Sequence, residues 1–104
     1  MTDFSGLPGA EVVAVGLGDL AAGRESVPAL LVAIAGARLR RLGVSVAPSV
    51  WKEAELQLYH ALCREDPATA YTRYNSLLRR IDSFARALER EQGKALRQAM
   101  ASTR

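Results

Sequence analysis

The residues that could do chemistry begin with a histidine and the only cysteine in the chain. His60 and Cys63 are three positions apart, so on a helix they would be neighbours. A thiolate beside an imidazole can act as a nucleophile, and both residue types bind metals. No third ligand or orienting carboxylate completes either site, and a single cysteine cannot form a disulfide within the chain. We favour an exposed histidine and a small buried cysteine, with no metal and no cofactor.

Three tyrosines cluster around the turn that joins the predicted third and fourth helices. Arginines stand close to them in sequence, at Arg73, Arg79 and Arg80. A phenol-rich pocket beside arginines would hold an anion or stack on a base. We favour the alternative, in which the rings are core at their apolar end and hydrated at the hydroxyl. With the neighbouring histidine and cysteine, the candidate ligand pocket comprises Tyr59, His60, Cys63, Tyr71 and Tyr74.

A row of cations on the predicted last helix is the strongest functional pattern. Steps of seven, four, four and three residues place its members on one side of a helix, away from the apolar positions. Such a row would contact phosphates or an acidic protein surface. The row, called the basic stripe below, comprises Arg79, Arg86, Arg90, Lys94 and Arg97.

Acidic residues accompany the basic stripe and suggest a second interpretation. Asp82 precedes Arg86 by four positions, Glu89 follows Arg86 by three, and Glu91 precedes Lys94 by three. Intrahelical ion pairs of this kind are typical of a solvated helix surface. No aromatic residue is interleaved with the stripe, and no helix-turn-helix motif with a short glycine turn is present. We therefore favour a protein contact over nucleic-acid binding.

Near the N-terminus the chain contains a relaxed dinucleotide-binding pattern at Gly16, Gly18 and Ala21. In that fold the glycines allow a tight turn and the approach of a pyrophosphate to a helix N-terminus. The context does not fit, because a dinucleotide-binding fold needs more chain than remains. We expect instead that the glycines let two helices approach closely.

Helical periodicity and end signals divide the chain into four helices. The first covers residues 10–22, although a strand around its valines is an alternative. The second begins after the N-cap Ser26 and ends before Gly43; the third begins at Pro48 and Ser49; the fourth follows the N-cap Asp66 and Pro67. The apolar positions of the fourth helix recur at steps of three and four, at Tyr71, Tyr74, Leu78, Ile81, Ala85 and Leu88, widened by Leu77 and Phe84.

The fourth helix is longer than a compact monomer needs. Over residues 68–100 it spans about 50 Å, whereas a 100-residue globule has a radius of gyration near 13 Å. Because three short helices leave Leu77 and Phe84 incompletely covered, we predict a homodimer. The alternative is a monomer whose helix end frays.

Composition and charge describe one ordinary globular domain. The chain has 104 residues, of which 49% are apolar and 24% charged, enough for one core. Residues 1–67 carry a net charge of −2 and residues 68–104 a net charge of +5. The longest uncharged run, residues 26–37, is shorter than the roughly 20 residues that cross a bilayer, and no basic leader is present. We expect a soluble cytoplasmic protein with no membrane partner.

The sequence therefore predicts an all-α fold, a small bundle of about four helices with a long C-terminal amphipathic helix. We expect a single domain over residues 1–104, with a flexible tail at 1–8 and a frayed end at 93–104. The predicted function is a non-enzymatic helical protein–protein interaction or oligomerisation module, with an acidic protein as a possible partner. The alternative is a small nucleic-acid-associated protein that binds phosphates through the basic stripe.

Overall fold

The computed structural model describes Phe4 and residues 6–102, and within them the regular structure is entirely helical. The helices are α1 (Ala10–Ala21), α2 (Val27–Ile34), α3 (Gly36–Arg41), α4 (Ala54–Glu65) and α5 (Ala70–Ser102). The predicted all-α fold with a long C-terminal helix is confirmed. None of the helices in the described part of the chain has the length and apolarity required to cross a membrane.

The second predicted helix is divided in two, which raises the number of helices from about four to five. The break lies at Ala35, whose backbone has φ −90° and ψ 5°. The Ala35 N–H donates to the carbonyl of Leu31 at 3.3 Å, and a separate helix, α3, begins at Gly36. Glycine costs about 1 kcal/mol in a helix relative to alanine, so the interruption falls where the helix is weakest.

Helix α4 begins at Ala54, later than the predicted start at Pro48 and Ser49. The Ser49 hydroxyl accepts a hydrogen bond from the Trp51 N–H at 3.0 Å, which forms a local turn in place of a helix cap. The preceding connector alternates buried and exposed residues and buries Val44 and Val46. The segment between α3 and α4 is therefore a connector that packs on the core through these two valines.

A capped turn precedes α5. The carboxylate of Asp66 accepts hydrogen bonds from the Ala68 N–H at 3.2 Å and from the Thr69 hydroxyl at 3.0 Å. Asp66 thus caps this turn and is not the N-cap of the helix, as had been predicted, because the regular helix begins only at Ala70. The apolar side of α5 also begins there, since Ala70 is buried while Tyr71 is 69% exposed. The prediction that Tyr71 belongs to the packing seam is wrong.

Helix α2 occupies the centre of the bundle and contacts α1, α4 and α5. Its residues Leu30 and Leu31 are fully buried, together with Leu58 and Leu62 of α4 and Phe84 of α5. Apolar burial of this kind is the main source of stability in a domain of this size. Residues of α1, α2, α4 and α5 thus contribute to one hydrophobic core.

The glycine-containing pattern lies inside α1, so it forms no phosphate-binding loop. Gly16 is buried where α1 crosses α2, against the Pro28 carbonyl and Val32. At Gly18 an added Cβ would meet no atom within 4 Å. The expectation that both glycines mediate a close helix approach is right for Gly16 and wrong for Gly18.

The described part of the N-terminal segment packs on α5. The Phe4 ring meets the Phe84 ring edge to face, with centroids 5.3 Å apart, and the Leu7 N–H donates to the Phe4 carbonyl. A flexible tail over residues 1–8 stays a prediction, and residues 1–3 and 5 lie outside the described residues.

We expect the Ser26→Ala variant to lose about 1 kcal/mol of unfolding free energy, because Ser26 caps α2. Its hydroxyl accepts from the Ala29 N–H at 3.2 Å and donates to Asp19 at 2.8 Å. Hydrogen bonds from Ser26 and then Arg24 hold the pKa of Asp19 below its ordinary value. The bond to the carboxylate therefore stabilises the fold at neutral pH and is lost as the pH falls through that lowered pKa.

Urea unfolding of the wild type and of Ser26→Ala at several pH values would measure both effects. The difference between the two proteins should shrink in acid. Ser83→Ala is the control, because Ser83 is exposed within α5 and alanine is the better helix former. A difference that grows in acid would contradict the assignment of the hydroxyl to the ionised carboxylate.

Candidate functional site

All five residues of the basic stripe are exposed on α5. At 100° per residue, Arg79, Arg86, Arg90 and Arg97 fall within about 40° of one another around the helix axis, with Lys94 at the margin. They point away from the buried side of α5, which carries Ile81, Phe84 and Leu88. The periodicity that predicted a single row of cations therefore corresponds to one continuous exposed surface.

The N-terminal half of the stripe is paired within the chain. Arg86 binds Asp82 at 2.9 Å, as its spacing predicts, and Asp82 also receives Arg38 of α3 at 2.6 Å. The hydrogen bond from Arg38, with the charge of Arg86, holds the pKa of Asp82 below its ordinary value. Arg79 lies 3.5 Å from the Ser76 hydroxyl. Asp82 thus neutralises part of the stripe.

The C-terminal half of the stripe is different. Within the described residues, Arg90, Lys94 and Arg97 make no ion pair, and the predicted pair between Glu91 and Lys94 does not form. The predicted pair between Glu89 and Arg86 is likewise not formed. Three cations are therefore exposed without an acidic partner in the described chain.

Helix α5 continues beyond the body of the bundle, through Gly93 to Ser102. The Gln92 amide donates to the Leu42 carbonyl at the end of α3, and every residue from 94 to 102 is exposed. The radius of gyration is 15.3 Å and the long axis 57 Å, against about 13 Å for the radius of a compact chain of this length. Fraying of residues 93–104 stays a prediction, and residues 103 and 104 lie outside the described residues. We call residues 93–102 the α5 end.

The α5 end carries apolar as well as basic side chains. Leu96 is 61% exposed and Met100 is 67% exposed, and their spacing of four places them side by side. Both residues were missed in the sequence because the predicted seam weakens after Leu88. Their spacing of four was the available signal.

The three tyrosines of the predicted pocket do come together, in an open groove between α4 and α5. The Tyr59 and Tyr74 rings meet edge to face with centroids 5.8 Å apart. The groove has a volume of about 470 Å³, within the range of ligand sites. We call it the tyrosine groove; it is lined by Glu55, Leu56, Tyr59, Tyr71 and Tyr74.

The other two members of the predicted pocket do not line this groove. His60 is exposed, and Cys63 is half-buried beside Tyr59. A hydrogen bond with Cys63, followed by the electrostatic effect of the Cys63 sulfur, raises the pKa of Tyr59 above its ordinary value. The thiol thus serves as a neighbour of a phenol, and within the described residues no group of three acidic, histidine or cysteine side chains could hold a metal ion.

The electrostatics of the groove are opposite to those the sequence suggested. Arg73 pairs with Glu65 and Arg80 pairs with Glu11, so neither lines the groove. The only charged residue in the lining is Glu55. Burial and then the charge of Glu55 raise the pKa of Tyr74, which keeps that phenol neutral. The groove lining contains no arginine, and binding of an anion beside the tyrosines stays a hypothesis.

The fold and these surfaces define a small all-α protein with a projecting, basic C-terminal helix. The chain matches no protein-family model, no curated protein and no solved structure in the comparisons made.

Proposed function

We propose that this protein is a non-enzymatic helical interaction module of a cytoplasmic complex, and that the α5 end is its contact surface. The observation that carries the proposal is the exposure of every residue from 94 to 102 in a helix that extends past the bundle. Helices in proteins gain most of their stability from packing of one side, and this segment has no such packing within the described chain. A partner would supply it.

The composition of the α5 end favours a protein partner with an acidic rim. Leu96 and Met100 offer an apolar contact, and Arg97 adjoins them with a charge that has no ion pair among the described residues. Protein interfaces combine an apolar centre with a polar rim, and methionine and arginine are enriched in them. Electrostatic complementarity then steers the encounter and selects the partner.

The test is native mass spectrometry of the full chain purified from its own host, with any tag placed before Met1 to leave the α5 end free. We expect a bound protein in the wild-type sample and a loss of roughly tenfold or more in the triple variant Arg90→Gln, Lys94→Gln, Arg97→Gln, since three contacts of 0.5 kcal/mol or more combine to that factor. Glutamine preserves helix propensity, so the loss would report contact and not unfolding.

The matched control removes three other exposed cations in the variant Arg41→Gln, Lys52→Gln, Arg64→Gln. It changes the net charge equally and should leave binding intact. Unchanged binding in the α5-end variant would contradict the proposal. Recovery of a bound nucleic acid would instead indicate that the same three cations contact phosphates and not a protein. The logarithm of its binding constant for duplex should then fall with the logarithm of the salt concentration with a slope of about −3.

A further inference from the structure

The tyrosine groove and the α5 end have complementary surfaces, and we infer that the α5 end of one copy binds in the tyrosine groove of a second copy. This inference rests on the proposed function and names its partner. It also specifies which surfaces would meet in the homodimer expected from the sequence.

Both surfaces expose large apolar side chains to solvent. In the groove, Leu56 is 49% exposed and Tyr71 is 69% exposed, while the α5 end exposes Leu96 and Met100. A methionine sulfur makes favourable contacts with aromatic ring edges, and three tyrosine rings line the groove. Bringing the two surfaces together removes these side chains from water at the same time.

Charge fixes the orientation of this contact. Glu55 is the only charged residue of the groove, and it has no ion pair among the described residues. Arg97 is equally unpaired and lies between Leu96 and Met100 in sequence. An arginine beside Glu55 would also lie against tyrosine rings, where cations are attracted to the ring face.

The two surfaces lie on the same side of α5 and at its opposite ends. With 100° per residue, Leu96 and Met100 point within about 20° of the direction of Tyr71, and 25 residues of helix separate Tyr71 from Leu96 by about 38 Å. Two copies with antiparallel α5 helices therefore bring each α5 end to the other's groove. The result is a closed two-fold dimer with two identical contacts.

The proposed dimer contains two copies of the contact between an α5 end and a tyrosine groove, and each copy alone is small. Stable interfaces bury about 1,200 Å² or more in total, and a second, symmetric contact adds to the area that the dimer buries. A variant that weakens the contact weakens it twice per dimer. Charge changes at Glu55 or Arg97 should consequently have a larger effect on association than a single exposed ion pair normally has.

Sedimentation equilibrium of the full chain over a range of concentrations tests the inference. We expect a dimer for the wild type and a dissociation constant raised roughly tenfold by Glu55→Arg or by Arg97→Glu, because each reversal acts at two sites. The double variant restores the pairing with exchanged charges and should return to within about threefold of the wild type. Circular dichroism verifies that each variant remains helical.

Matched reversals at Glu53→Arg and Arg41→Glu, which lie outside both surfaces and outside the basic stripe, should leave the dissociation constant unchanged. A monomeric wild type overturns the inference, as do single variants that are not rescued by the double variant. If the wild type is monomeric while the α5-end variants still lose another bound protein, the proposed function stands and only the second copy is excluded. If those variants lose nothing, both fail.

Discussion

Adding one methyl group at Gly16 should destabilise the fold by about 3 kcal/mol, whereas adding the same methyl group at Gly18 should stabilise it. An ideal Cβ on Gly16 would lie 2.4 Å from the Pro28 carbonyl oxygen and 2.5 Å from Val32. The first of these is backbone, so α1 and α2 must separate to admit it. Overpacking of a core costs about 1–3 kcal/mol and occasionally more.

Gly18 provides the matched control in the same helix. A Cβ there meets nothing within 4 Å, so the Gly18→Ala variant gains up to about 1 kcal/mol from helix propensity alone. Thermal unfolding followed by circular dichroism measures both variants. At 4–8 °C per kcal/mol, the midpoint of Gly16→Ala should fall by roughly 12–24 °C. Equal shifts for the two variants would show that α1 and α2 are not in close contact at Gly16.

The contrast between these glycines shows which information the sequence contains and which it lacks. Composition and periodicity predicted a helix around both residues and a close approach of two helices. The side of α1 that meets α2 depends on how the two helices cross, which no local pattern specifies. Only the position facing Pro28 and Val32 needs to be glycine.

Helix boundaries were predicted correctly where they depend on local hydrogen bonds and incorrectly where they depend on tertiary packing. Ser26 and its following proline predicted the start of α2, because an N-cap hydrogen bond is local and its partner is three residues away. Ser49 has a similar sequence context, yet its hydroxyl bonds to the Trp51 N–H and α4 begins later. The path of the connector before α4 depends instead on the burial of Val44 and Val46, which is a tertiary effect.

For the candidate site, the sequence predicted what one helix can show by itself. The basic stripe depends on the period of α5 alone, and the structure places its residues on one exposed surface. The tyrosine groove depends on the packing of α4 against α5, so Glu55 and Leu56 were missed. Two of the three arginines near the tyrosines in sequence, Arg73 and Arg80, are paired with Glu65 and Glu11, and the charged residue of the groove lining is Glu55.

The Phe84→Ala variant should lose about 3–5 kcal/mol of unfolding free energy, the usual cost of deleting a buried aromatic ring. Phe84 is fully buried and packs edge to face on Phe4, so its surface is covered within the chain. The dimer argument from the sequence had instead assumed that a second subunit covers it. The loss should therefore be the same at every protein concentration in urea unfolding. Leu96→Ala, at an exposed site of the same helix, should change stability by no more than about 0.5 kcal/mol yet weaken the proposed dimer. A Phe84→Ala effect that vanished on dilution would instead place this ring in a subunit interface.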